Sequence, residues 1–134
     1  MTSIGIIINL SVALLSMEFV ACIGTDEHNW GQVTALLNRL EYEKAVLVVD
    51  AMASGYPSND KCTIVKMDMS QPLLGLQKEI QEKLKKTIGG EFEVALSVAS
   101  GTGKEHMAVL SALLNIPVGV KLVVYTKEGI QFLS

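Results

Sequence analysis

The chain has 134 residues, enough for one domain with a real core. Hydrophobic residues make up 49% and charged residues 19%, which excludes a disordered chain, and few aromatics among many Val, Ile, Leu and Ala suit a buried parallel sheet. A net charge of −3 leaves no electrostatic footprint for duplex nucleic acid, while a small anion held by local dipoles stays compatible with it.

The amino end is strongly apolar from Ile4 to Leu15. No basic residues precede it, as a secretory signal requires, and Glu18 interrupts it before the length of a membrane span is reached. The segment 1–16 is expected to add a short strand or helix that covers a sheet edge or makes a dimer contact, ahead of a single domain 17–134. Met17 is a second candidate start. The two cysteines, Cys22 and Cys62, lack CxxC spacing, so a cytoplasmic protein with reduced thiols and no metal centre is expected.

Glu18 to Ile23 (EFVACI) reads as a buried strand closed by Gly24. Thr25-Asp26-Glu27 supplies a hydroxyl cap and first-turn acids, and Trp30, Val33, Leu36, Leu37 and Leu40 fall on one helical face. Ala45 to Val49 is a second continuous strand ending at Asp50. A loop rich in turn residues, 53–60, leads to a third strand, Thr63 to Met67. Ser70 and Pro72 open a helix whose apolar stripe is Leu73, Leu76, Ile80, Leu84 and Ile88, with a charged solvent face and a Gly89-Gly90 stop.

The fourth strand runs from Phe92 to Val98 and breaks at Ala99-Ser100-Gly101-Thr102-Gly103. A helix follows from Lys104 to about Asn115; apolar nearly all round, it is expected to be well buried. Val118 to Tyr125 is a further strand, and Lys127-Glu128-Gly129 turns into a last strand, Ile130 to Leu133, as an antiparallel hairpin. This alternation predicts an α/β fold: a Rossmann-like three-layer arrangement with a mainly parallel sheet of about six strands. Ligands of such sheets sit at the carboxyl ends of the strands, here Gly24–Asn29, Asp50–Ser54 and Ser97–Lys104.

Two phosphate motifs are absent. Val98 stands where a Walker A loop needs its first glycine, and Glu105 where it needs the metal-binding hydroxyl. No GxGxxG follows the first strand, and the carboxylates of Asp26 and Glu27 would repel a pyrophosphate; Asp50 is left as a mimic of a ribose-binding acid. Ser100-Gly101-Thr102-Gly103-Lys104 is the stronger candidate: glycines permit close backbone approach, two hydroxyls can hydrogen-bond and Lys104 adds charge. The alternative is a tight strand-to-helix turn with Ser100 or Thr102 as a cap. His28 could face the same crevice from the first loop, and His106 lies in the first turn of the next helix.

The architecture and two loops, Gly24-Thr25-Asp26-Glu27-His28-Asn29 and Ser97 to His106, resemble the CRISPR-associated Rossmann fold, the CARF domains, over roughly Glu18 to Leu133. The resemblance implies a homodimer whose paired loops bind a cyclic oligoadenylate, with ring cleavage in some members and no metal. It carries over Ser100, Gly101, Thr102, Gly103 and Lys104, together with Thr25 and His28, as ligand-binding residues; Lys104 and His28 are the candidates for catalysis. The expected partner is a small anionic nucleotide-type ligand, with no further cofactor, no duplex nucleic acid and no membrane. Two other readings stand beside it. One is a non-enzymatic interaction subunit, in which the glycine loop is only a turn; the other is a small enzyme on a phosphorylated metabolite, with His28 or His106 as acid or base.

Overall fold

The computed structural model describes residues 17–88 and 93–134. The apolar segment 1–16, the Gly89-Gly90 stop and Phe92 lie outside the described residues. The chain folds as α/β, with a six-stranded, mostly parallel sheet and three helices.

Strand β1 (Glu18–Ile23) is buried at every position because parallel neighbours flank it on both sides: β2 (Ala45–Asp50) and β4 (Glu93–Ser97). A strand covered on both faces needs no polar alternation, which explains the unbroken apolar runs of β1 and β2. Glu18 opens β1 almost fully buried and meets Lys44 at 3.4 Å. Strand β3 (Cys62–Met67) pairs with β2, and β5 (Gly119–Thr126) pairs with β4, all parallel. The chain ends with β6 (Gly129–Phe132) antiparallel to β5 across a tight turn, so the sheet order is β3-β2-β1-β4-β5-β6.

Side chains alternate between two cores with the period of the pleat. Phe19, Ala21, Ile23, Leu47 and Val49 pack under helix α1 (Trp30–Arg39), which presents Val33, Leu36 and Leu37. Val20, Cys22, Val46 and Val48 face the opposite side, beneath helices α2 (Leu73–Thr87) and α3 (Gly103–Leu114). The α2 stripe predicted from spacing is buried at Leu76, Ile80, Leu84 and Ile88, while Leu73 is only partly covered.

Two local expectations are corrected. The first helix does not start on a Thr25 cap. Asp26 is the capping residue, its Oδ1 accepting the His28 N–H at 3.1 Å, and a 3-10 turn (Glu27–Asn29) precedes α1 proper. Aspartate caps better than threonine, so the start shifts by one residue. Nor is α3 buried all round. Ala108, Val109, Ala112 and Leu113 are covered by the sheet and α2, but Met107 and Leu114 are 59% and 70% exposed. A helix in an outer layer keeps one face in solvent whatever its composition.

Among the described residues no helix is long and apolar enough to cross a membrane.

Candidate functional site

The strand order reverses at β1, whose neighbours lead off in opposite directions through β2 and β4. At this point the loops leaving two parallel neighbours diverge and leave a crevice above the sheet. In this chain the floor of that crevice is nearly closed. A Cβ on Gly24, at the end of β1, would sit 2.7 Å from the Gly101 Cα and 2.9 Å from its nitrogen, so the two loops touch backbone to backbone. Gly101 has φ +97°, which a side chain would strain.

Ser100 locks this contact. It is fully buried, and its Oγ accepts the Gly24 N–H at 2.9 Å. The Nε2 of His106 lies 2.7 Å from the Ser100 carbonyl oxygen. That oxygen can only accept, so Nε2 carries the proton and His106 braces the loop. Thr102, Lys104 and Glu105 are also engaged. Thr102 and Glu105 form a reciprocal capping box at the start of α3, with Thr102 N–H donating to Glu105 Oε2 at 2.6 Å and Glu105 N–H to Thr102 Oγ1 at 3.3 Å. The Lys104 ammonium donates to the Met69 carbonyl at 2.9 Å and ties α3 to the loop before α2.

Above the Gly24–Gly101 contact lies a cavity of about 200 Å³. Thr25, Asp26, Asn29 and Asp50 line one side of it, and Gly101, Thr102 and Glu105 the other. An adjoining hollow of about 400 Å³ shares Asp50, Thr102 and Glu105 and adds Asp68 and Ser70. The chemistry of this region is acidic. Asp26 is held by the His28 N–H and Asn29 Nδ2, and Asp50 by the Met52 N–H. Asp68 stays below the usual carboxylate range chiefly through hydrogen bonds from Ser70, with the Lys104 charge helping and desolvation opposing. Beneath the cavity, burial and then the Glu105 charge push the Cys22 thiol up to about 12, which makes it an inert core group.

Of the residues predicted from sequence, the crevice thus brings together Thr25, Gly101 and Thr102. Ser100 lies under its floor. His28 is exposed on the 3-10 turn, Gly103 is exposed at the first turn of α3, and Lys104 is half-buried; none of the three lines the cavity. Both hydroxyls expected to serve a ligand are used inside the chain, Ser100 on Gly24 and Thr102 on the helix. Glu105 is the group that sequence reasoning passed over. It is 4% exposed and carries charge into the cavity, and its signal was the Thr102-x-x-Glu105 spacing of a capping box. Among the described residues no three His, Cys, Asp or Glu side chains gather as a metal site.

No protein-family model matches the chain, and no curated protein matches it.

Proposed function

We propose that this chain is a Rossmann-like domain of the CARF type, binding a nucleotide-type anion such as a cyclic oligoadenylate across the β1 and β4 loops of a homodimer. The observation that carries this reading is the joining of those two loops at the reversal of strand order, through the Gly24–Gly101 contact and the Ser100 hydrogen bond. A loop pair fixed this rigidly offers a preorganised platform on its outer surface. In this reading the acid-lined cavity takes ligand hydroxyls, which donate to Asp26 and Asp50. Phosphates lie outward, near Thr25, His28, the Gly103 backbone and Lys104. The Lys104 ammonium is held by one neutral carbonyl, and a phosphate oxygen makes the stronger, charge-assisted partner.

Calorimetric titration with cyclic tetra- and hexa-adenylate, followed by separation of any products, tests the reading. Binding is expected for one ring, weakened about tenfold in Lys104→Ala by loss of a charged hydrogen bond. Unchanged affinity in that variant refutes the site. No heat with either ring refutes the ligand class and favours the interaction-subunit reading, in which the glycine loop is purely structural.

A further inference from the structure

Strands β2 and β3 are parallel neighbours, yet the loop 51–61 joins them without a helix. Parallel crossovers usually carry one, and its absence leaves part of the sheet uncovered. On the α1 side of β3, Ile64 is 40% exposed and Lys66 is exposed, although their register partners Leu47 and Val49 are buried. The loop folds back over this face. Tyr56 meets Trp30 edge-on with ring centroids 5.3 Å apart, and its hydroxyl lies 3.1 Å from Thr34 Oγ1 on α1.

Between loop and sheet a cavity of about 300 Å³ remains, at the small end of the range for ligand pockets. Val49 and Ile64 on the sheet and Ala53 in the loop give it an apolar lining. Its wall is polar: Ser54, Gly55, Tyr56, Ser58 and the ammonium-bearing Lys66. No carboxylate lines it, in contrast to the cavity above β1 and β4. Among the described residues Lys66 makes no ion pair, and the N–H groups of Ser54, Gly55 and Tyr56 enter no hydrogen bond within the chain. Gly55, at φ +80°, turns this stretch back over the sheet. One cation and a run of unused backbone donors beside an apolar lining select a ligand with an anionic head and a flat, non-polar body.

We propose that this cavity is a second binding site, separate from the β1–β4 loops, for a small organic anion carrying one phosphate or carboxylate on an aromatic or similar body. The head group meets Lys66 and the Ser54–Tyr56 N–H groups, and the body covers Val49 and Ile64. The test is an amide NMR titration of the full chain with phenyl phosphate, with inorganic phosphate and phenol as separate arms. Saturable shifts are expected at Ser54, Gly55, Tyr56 and Ile64, with either fragment binding at least about tenfold more weakly than the joined probe. Lys66→Gln should lose about tenfold in affinity, and Lys78→Gln on the exposed face of α2, the same change of charge, should lose none. Amide spectra and melting temperature of Lys66→Gln verify that the variant is folded. The proposal is overturned by no saturable shift at millimolar probe, by shifts confined to residues 24–29 and 101–106, by equal binding of inorganic phosphate, or by equal affinity in Lys66→Gln. Because its shifts and its lysine differ from those of the β1–β4 platform, failure here leaves the cyclic-nucleotide reading to its own test.

Discussion

Replacing Gly24 by alanine should separate the two loops on which the candidate site rests. The added Cβ would lie 2.7 Å from the Gly101 Cα, against about 3.4 Å for an ordinary contact, so the loops must part by about 0.7 Å. Neither obstructing atom is the end of a flexible side chain; both are backbone. Parting the loops also stretches the 2.9 Å bond from the Gly24 N–H to Ser100 Oγ beyond useful length and leaves a buried donor unsatisfied. Overpacking costs about 1–3 kcal/mol and the stranded donor about 1–3 kcal/mol, and because partial relaxation serves both, a combined loss of about 2–4 kcal/mol is expected. For a domain of this size that is a fall in melting temperature of roughly 8–16 °C. The matched control is Gly31→Ala. An added Cβ there meets nothing within 4 Å, and the position is exposed in α1, so the variant should gain about 0.5–1 kcal/mol of helix propensity. Urea unfolding followed by circular dichroism measures both with one instrument. If Gly24→Ala is as stable as the parent, the backbone contact at the strand-order reversal is not what holds the loops, and the platform argument fails with it.

Four further outcomes follow from the same geometry. Thr102→Ala removes the cap of α3 and should lose about 1 kcal/mol, read by urea unfolding, with the loss concentrated in the exchange protection of the first turn. Glu105→Gln keeps an acceptor for the Thr102 N–H but removes a charge from the cavity, so it should hold stability within about 0.5 kcal/mol while strengthening anion binding by calorimetry. The Cys22 thiol should resist a thiol reagent in the folded chain at pH 8 while the partly exposed Cys62 reacts. For stability the sign runs with the raised value. The unfolded thiol loses its proton near 9.0 while the folded one keeps it up to about 12, so Cys22 lowers stability as pH rises through that interval and has no effect below it. Cys22→Ala should flatten that alkaline slope in melts at pH 8 to 11.

The layout of elements was legible because each rests on a local signal. The continuous apolar runs at Glu18–Ile23 and Ala45–Val49 announce strands covered on both faces, and the three- and four-residue spacing from Leu73 to Ile88 announces a helix with one buried stripe. The site was legible in position and less so in chemistry. Its loops could be placed at the carboxyl ends of the strands from the order of elements alone. What could not be read was the destination of each polar group. Ser100 points down to Gly24, across 76 residues of sequence, and Lys104 reaches the Met69 carbonyl across 35. Hydrogen bonds of that range depend on which distant loops the order of strands brings side by side, and that order is not a property of either loop's own residues. The uncovered face of β3 escaped notice for a related reason: loop 51–61 shows its turn residues plainly, but the absence of a crossover helix matters only once β2 and β3 are known to be parallel.

Two cavities of opposite character on one sheet follow from how each crossover is built. Where β4 runs into α3, the helix start is satisfied from within by Thr102 and Glu105, so the dipole that would attract an anion instead carries a carboxylate, and that carboxylate faces the crevice. Where β2 runs into β3 there is no helix, and no carboxylate lines the cavity. The N–H groups of Ser54, Gly55 and Tyr56 stay unused, and Lys66 stands on the open face of the sheet. In the proposed reading a ligand bearing both hydroxyls and phosphates meets the first cavity with its hydroxyls, because every phosphate brought inside would lie among Asp26, Asp50 and Glu105. The second is the cavity proposed for a ligand with a single anionic head. On the two proposals the fold sorts ligands by charge, and Glu105, which serves the helix first and the cavity as a consequence, is the residue expected to weigh on that sorting at the strand-order reversal.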